Sequence, residues 1–472
     1  MNMKIKTAAA QEKPAGGSTW AIRRLIAIFS GRGAREGYLA GVDQGVISLS
    51  NFLATVMLAR VVSPTELGIY GVGFTSLRLV RAVQEGLVIQ PMNTFGAAMD
   101  EQDFRRYSTS MTVLQVLLAL AGGLLAAAAG WLLTVTGNDV AGPTLFSLWS
   151  AFIFWQLQEY VRRVLYTRGE VFQAVLNTVL SNLVRLALML WLISQGKLTG
   201  ISGLHAIAWG SLAALIPGVW QMRRHLAAQA DSLLATWKRN WEFGSWIVGS
   251  TLANWVAVEF YPVLTAGLIN FAAAGAYRAI QNLVAPIHLL LRAIDTFLAP
   301  RAARAYDEGG RPALRRLIYL TYSITGIPIL GVLGLAVLFP TYILRFLYGE
   351  TYLPYSDGII LMAIFYALMF FYWPYQTALK ATHHSRPLFT GNLLAIVAMF
   401  TIGLWMIYQW GVYGTIAGQI LNALVVAIVL WAGWRRVKSD PAQTQQPPGN
   451  APVPVFAPAE PEHQEKGQRN QL

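Results

Sequence analysis

Cysteine is absent from the 472 residues, and charge is scarce: Asp, Glu, Lys and Arg together make up 12% of the chain. The first absence excludes a disulfide framework and a thiolate metal site. The second excludes an ordinary soluble domain, in which about 25% of residues are charged, so most of the surface must face something other than water. A glycine-rich phosphate loop of the Walker type is missing, as is any His/Glu metal motif, which argues against ATP hydrolysis or metal chemistry within the chain. Large loops are missing too. On the side away from the basic clusters, the acidic residues Glu66, Asp139, Glu350 and Asp357 are scattered among small connections, whereas a membrane glycosyltransferase or polysaccharide polymerase needs a substantial acidic loop. The expectation is a protein that is not an enzyme and uses no cofactor.

What is present is apolar: 55% of the residues are hydrophobic. A membrane-spanning helix takes about 20 apolar residues, so the length holds around a dozen. Apolar runs broken by basic or turn-like clusters place spans near 41–60, 70–95, 107–134, 142–162, 171–195 and 201–221, and again near 243–268, 275–299, 316–340, 356–379, 387–409 and 412–434. With the N-terminus inside, twenty-six Lys and Arg fall on cytoplasmic segments, among them Arg162 and Arg163. Only three, Arg60, Lys197 and Arg345, fall on the opposite side. The positive-inside rule decides orientation on far smaller biases, so both termini are expected in the cytoplasm. The same clusters explain the net charge of +13 as contacts with anionic membrane lipids rather than nucleic acid. Residues 1–40 read as a basic cytoplasmic segment with a candidate interfacial helix at 20–30. Residues 438–472, rich in Pro, Gln and Glu, read as a disordered cytoplasmic tail.

The two halves resemble each other at a separation of about 210 residues. Gly68-Ile69-Tyr70 parallels Gly275-Ala276-Tyr277, Arg105-Arg106 parallels Arg315-Arg316, Gly203 and Gly210 parallel Gly411 and Gly418, and Arg223-Arg224 parallels Arg435-Arg436. Six spans per half is an even number, so the halves share one orientation. Parallel repeats of this kind place a substrate site between two bundles that rock about it. Residues 41–221 and 243–437 are therefore expected to form two six-helix lobes around a central cavity, joined by a cytoplasmic linker at 222–242. The fold class is an all-α polytopic membrane protein.

Five arginines fall inside the expected spans: Arg78, Arg81, Arg185, Arg278 and Arg292. An ionised side chain at the bilayer centre costs roughly 2.5–3.5 kcal/mol on insertion scales, so it faces a cavity or a partner. In the eighth span Arg278, Gln281, His288, Arg292 and Asp295 recur at helical intervals on one face. In the second span Arg78, Arg81 and Glu85 form a matching face. The first span offers Asp43, near the cytoplasmic edge where simple hydration competes with a functional role, and the seventh offers Glu259 close to Pro262. The repeat makes the first and second spans counterparts of the seventh and eighth, so intramembrane charge sits on equivalent helices of both lobes. A cationic cavity suited to an anionic substrate follows, because guanidinium binds phosphate oxygens bidentately. The candidate substrate-binding residues are Arg78, Arg81, Arg185, Arg278, Gln281, His288 and Arg292, and the candidate coupling-ion residues are Asp43, Glu259 and Asp295. The competing reading pairs the charges locally, Arg81 with Glu85 and Arg292 with Asp295, merely to cement helices. Tyr372, Trp373 and Tyr375 around Pro374 offer a sugar-stacking surface or, more simply, a kinked interfacial helix.

The stretch from Asp43-Gln44-Gly45 to Tyr70, with Leu58-Ala59-Arg60, Ser63-Pro64 and Glu66-Leu67-Gly68-Ile69-Tyr70, resembles the opening of the O-antigen and exopolysaccharide flippases. These belong to the multidrug/oligosaccharidyl-lipid/polysaccharide exporter (MOP) superfamily, and Gln90-Pro91 and the Gly411–Gly418 helix fit the same pattern. The resemblance implies a V of two six-helix lobes with alternating access. It also implies movement of an undecaprenyl-diphosphate-linked oligosaccharide to the periplasmic leaflet of a bacterial inner membrane, with a polysaccharide polymerase and glycosyltransferases as possible partners. Three alternatives stay open. A multidrug antiporter needs an acidic cavity to expel cations. A peptidoglycan-precursor flippase shares the cationic cavity but typically adds two further spans. A non-transporting scaffold subunit of a polysaccharide synthase needs no intramembrane polar faces.

Overall fold

Short polar residues set the helix starts in the computed structural model, which describes residues 32–382, 384 and 386–437. Helix α1 (Arg32–Val61) ends just before Ser63, whose hydroxyl caps α2 (Pro64–Gln84) by accepting from the Glu66 amide. Pro64 opens α2 where its missing N–H costs nothing. Helix α2 runs on through two π-helical turns, Glu85–Ile89 and Met92–Gly96, around Pro91, whose ring cannot continue the regular ladder. Asp100 caps α3 (Glu101–Val135), and α4 (Ala141–Thr167) and α5 (Val171–Ser194) follow. A Thr199/Ser202 capping box starts α6 (Gly200–Met222).

The second half opens with α7 (Leu233–Glu259), bent by 53° into α8 (Tyr261–Leu268) where Pro262 interrupts the ladder. Asn270 caps α9 (Phe271–Leu283), which leads into α10 (Ala285–Leu338). Short α11 (Pro340–Tyr348), then α12 (Asp357–Ala381), α13 (Arg386–Ala398) and α14 (Leu404–Arg435) complete the order. Two glycines divide the long segments. Gly310 (φ 60°, ψ −155°) breaks α10, and Gly411 (φ 58°) turns the chain inside α14, conformations closed to residues with a Cβ. Gly411, matched above with Gly203, is thus a turn between passes, while Gly203 lies inside α6.

Read with these breaks, the order gives twelve helical passes, with no strand among the described residues. Among the described residues seven segments are long and apolar enough to cross a membrane, or eight counting the bent α7–α8 pair; one of the seven, 386–435, holds two passes folded at Gly411. The passes that fail the test are α2, α4 and the α9–α10 stretch before Gly310, which carry most of the intramembrane charges; Asp43, Arg185 and Glu259 lie on α1, α5 and α7. Apolar side chains such as Leu124, Leu125, Ile216, Ile327 and Phe371 stand exposed on the outer faces, where only lipid suits them. The protein is a multi-pass membrane protein. The interfacial helix expected at 20–30 and the tail from 438 lie outside the described residues.

Within the first half α3 packs on α4, α4 on α6, and α5 on α1 and α6; within the second, α10 packs on α12, and α12 and α13 on α14. The halves meet chiefly along α1 and α2 of one and α7 to α10 of the other, with further contacts of α3 on α7 and α1 on α11. At the end where α1 turns into α2, Gly68 and Gly275 let α2 and α9 touch backbone to backbone: a Cβ on Gly68 would lie 1.8 Å from the Phe271 carbonyl oxygen, and one on Gly275 would lie 1.9 Å from that of Pro64. Arg60 donates to the carbonyls of Leu347 (2.6 Å) and Phe346 at this end. At the opposite end, which carries the basic clusters, Gly86 meets Gly244 in the same close manner and Tyr107 donates to Asn240 Oδ1 at 3.2 Å.

Candidate functional site

Between the halves lies a cavity of about 780 Å³. Most of its lining residues come from positions 40–52 of α1, 74–81 of α2, 155–166 of α4, 178–185 of α5 and 278–292 of α9 and α10, with α6, α7, α12 and α14 adding the rest, so it occupies mid-membrane and the half nearer the basic end. All seven candidate substrate-binding residues line it: Arg78, Arg81, Arg185, Arg278, Gln281, His288 and Arg292. Asp43 and Glu259 line it too; Asp295 stands apart, its carboxylate accepting from Thr377 Oγ1 inside the second half.

Two lining arginines and one carboxylate escaped the sequence reading. Helix α4 continues to Thr167, so Arg162 and Arg163, assigned above to the cytoplasmic surface, belong to the cavity wall together with Glu159. The signal was present: Trp155, Glu159, Arg162 and Tyr166 recur at four, three and four residues, one helical face, but ending the span at 162 hid it.

The carboxylates hold particular arginines. Arg162 bridges Asp43 and Glu159, and Arg81 shares Glu159 from α2. Asp43 is buried rather than hydrated. Arg78 pairs with Glu259 across the junction of the halves. The local pair of Arg81 with Glu85 is therefore not what forms; Glu85 accepts from Gln90 at 2.7 Å. Arg185 donates to Asn51 Oδ1 at 2.8 Å and to the Tyr70 hydroxyl, which anchors it between α1, α2 and α5. Arg292 donates to Gln44 Oε1 at 3.2 Å, from α10 to α1.

Among the described residues Arg163, Arg185 and Arg278 have no carboxylate partner, and of these three Arg163 and Arg278 also lack the hydrogen bonds to other helices that anchor Arg185. Arg278 donates to Gln281 Oε1 at 3.0 Å and lies over the Phe74 ring at 5.2 Å, and its Nε is buried without an acceptor. Arg163 lies 5.9 Å from the Tyr166 ring, and its Nε is likewise without an acceptor. His288 Nδ1 and the Tyr366 hydroxyl share a 2.8 Å hydrogen bond on the same wall. Seven arginines thus face three carboxylates around one cavity, which leaves its lining with an excess of positive charge. Among the described residues no cluster of His, Asp and Glu is arranged to hold a metal ion. Tyr375 packs against Trp434 and Tyr322 in the second half, and the Tyr372, Trp373 and Tyr375 group does not line the cavity.

The fold is shared with known transporters. A multidrug resistance MATE family transporter of the MOP superfamily, in an inward-facing conformation, superposes with a TM-score of 0.66 at 15% identity over 82% of this chain and 93% of its own. The lipid II flippase MurJ, in an inward closed conformation, gives 0.66 at 14% identity over 83% and 86%. A MOP superfamily transporter from Pyrococcus furiosus Vc1, described as having a binding pocket of reverse polarity, gives 0.60 at 15% identity over 87% and 97%. No curated protein matches the sequence. Residues 57–357 match the profile described as polysaccharide biosynthesis protein; with well over half the chain covered, this multi-pass membrane protein is a member of that family.

Proposed function

We propose that the chain is a flippase that carries a polyprenyl-diphosphate-linked oligosaccharide from the cytoplasmic to the periplasmic leaflet of a bacterial inner membrane. The observation that carries this reading is the excess of arginine in one intramembrane cavity, with Arg163 and Arg278 left without carboxylates. Diphosphate is the group such an excess accommodates, since each guanidinium fork matches two phosphate oxygens. The volume lies within the range of small-molecule sites and takes a headgroup while the polyprenyl chain stays in lipid. Arg78, Arg81, Arg278 and Arg292 meet the diphosphate, Gln281 and His288 supply neutral hydrogen bonds to the sugar, and Arg185 positions the wall. Asp43, Glu259 and Asp295 are the sites for a coupling ion or proton, Asp43 and Glu259 becoming open to it when their arginine partners release them.

The basic end is cytoplasmic on the positive-inside rule, with both termini there, and the cavity then opens inward. The lobes are 41–221 and 243–437, joined by 222–242, and rock about the cavity. A cation-expelling antiporter fits poorly, because all three cavity carboxylates already pair with arginines. The likeness to a lipid II flippase favours one second reading, transport of a peptidoglycan precursor, which needs the same cationic cavity.

The test is a strain lacking the gene and any redundant transporter, with lipid-linked oligosaccharide measured on each leaflet alongside surface polysaccharide. Completed intermediate accumulating on the cytoplasmic leaflet supports the reading, and its sugar composition separates the two cargoes. Normal lipid-linked pools with normal polysaccharide refute it.

A further inference from the structure

Arg78 and Glu259 meet fork to fork: Nη2 lies 2.8 Å from Oε1, and Nη1 donates to Oε2 at 3.0 Å. Asp43 and Glu159 pair with arginines of their own half; Glu259 reaches across to the other. It is also the last residue of α7, at the 53° break into α8. A helix C-terminus carries partial negative charge and disfavours a carboxylate, so Glu259 depends on the cavity arginines for its counter-charge. The terminal carbonyls of Ala257 and Val258 are tied down separately, by Asn422 at 2.9 Å and Gln419 at 3.5 Å. The Arg78–Glu259 pair is accessible as well. Its side chains are 38% and 18% exposed, against 8% for Arg162 between its two carboxylates. A ligand entering the cavity therefore reaches Arg78 more readily than the buried network behind it.

Carboxylate and phosphate present the same pair of oxygens to a guanidinium. We propose that Glu259 is an internal stand-in for substrate phosphate: in the empty transporter it occupies Arg78 and ties the two halves, and the cargo's diphosphate displaces it. Displacement frees the α7–α8 break from α2 and so links cargo occupancy to movement of one half against the other. Arg278, on the same wall without a carboxylate, takes the arriving diphosphate before Arg78 is released. The proposal rests on the cationic-cavity reading above and adds to it a residue whose charge opposes binding.

The experiment uses the full-length protein in lipid nanodiscs, with inorganic pyrophosphate and farnesyl diphosphate as probes in calorimetry. Glu259→Gln removes the competitor and is expected to bind both probes about tenfold more tightly. Arg78→Gln is expected to bind them about tenfold more weakly, and the double variant to match Arg78→Gln. A pair that only cements the fold predicts no gain from Glu259→Gln. Because the chain has no cysteine, spin labels at Gln102→Cys and Asp307→Cys, exposed positions on the two halves, report their separation. Probe-free Glu259→Gln is expected to show the distances of probe-saturated wild type. Should that variant fail to yield monodisperse protein, wild-type distances that stay the same on saturation overturn the proposal. Probe binding that Arg278→Ala weakens but Glu259→Gln does not strengthen removes the stand-in and leaves the cavity reading intact. Wild type that binds neither probe removes both.

Discussion

The crossing of α2 and α9 at Gly68 and Gly275 supplies a perturbation whose size follows from the coordinates. Gly68→Ala puts a methyl group 1.8 Å from the Phe271 carbonyl oxygen, and Gly275→Ala puts one 1.9 Å from that of Pro64; a Cβ needs at least 3.0 Å, so the helices must part by about 1.2 Å. Both obstacles are backbone, which no change of rotamer relieves. Overpacking of this kind costs roughly 1–3 kcal/mol. The penalty falls on the conformation in which the two helices cross, so about 2 kcal/mol moves the balance away from it by up to about 30-fold. The assay is the distance between spin labels at Gln195→Cys and Thr351→Cys, exposed loop positions of the two halves at this end. Gly68→Ala is expected to shift the distribution to longer distances, and adding Gly275→Ala to shift it further. Gly249→Ala and Gly331→Ala, where an added methyl meets nothing within 4 Å, serve as controls and leave it unchanged. If both crossing variants keep the parent distribution, the glycine contact is not what closes this end.

Three further outcomes are expected. Arg278→Ala and Arg292→Ala abolish export while the protein still accumulates in the membrane; normal surface polysaccharide with both replaced refutes the cationic-cavity mechanism. Arg162→Met leaves Asp43 and Glu159 without the cation that bridges them, a loss of about 3–5 kcal/mol for a buried network, read as a lower thermal midpoint in detergent. Adding Asp43→Asn recovers part of it, since Arg81 still holds Glu159. Arg185→Ala removes the bonds to Asn51 and Tyr70 and lowers stability by about 1–3 kcal/mol, while pyrophosphate affinity by calorimetry changes less than in Arg278→Ala.

Much of this was legible in the residues because a lipid-facing helix tolerates charge on only one face. The helical spacing of Arg278, Gln281, His288 and Arg292 marked a cavity wall before any coordinates, and all four line it. Partners were less legible. Local spacing favours Arg81 with Glu85, but Glu159 from α4 lies nearer in space, and sequence distance carries no information about which helices touch. Arg162 and Arg163 show a further limit: the positive-inside rule reads arginine at a span end as surface charge, and it cannot see a helix that continues inward with its basic face turned to a cavity. The bend at Glu259 was foreshadowed by Pro262, and the turn at Gly411 falls in the gap between the expected spans 387–409 and 412–434, although its match with Gly203 carried no sign of it, because a glycine in an apolar run looks the same whether it lies within a helix or ends one.

The close contact and four of the seven cavity arginines, Arg78, Arg81, Arg278 and Arg292, lie on the same two passes, the second and the eighth, which the sequence matches pair with each other. Gly68 stands ten residues before Arg78 on α2, and Gly275 three before Arg278 on α9. At 1.5 Å per residue those offsets correspond to about 15 Å and 5 Å along the helices. The crossing is therefore near enough to the arginines that rotating either helix about the glycine contact changes the separation of Arg78 and Arg278. An anion bridging those two guanidinium groups resists that rotation, and the Arg78–Glu259 tie resists the parting of α2 from α7 when no anion is bound. Replacing the glycines then alters more than packing at the far end: it moves the arginines relative to each other, and Gly68→Ala should weaken diphosphate binding even though it touches no ligand. Undiminished pyrophosphate affinity in Gly68→Ala, alongside longer far-end distances, would mean that the walls and the crossing move independently.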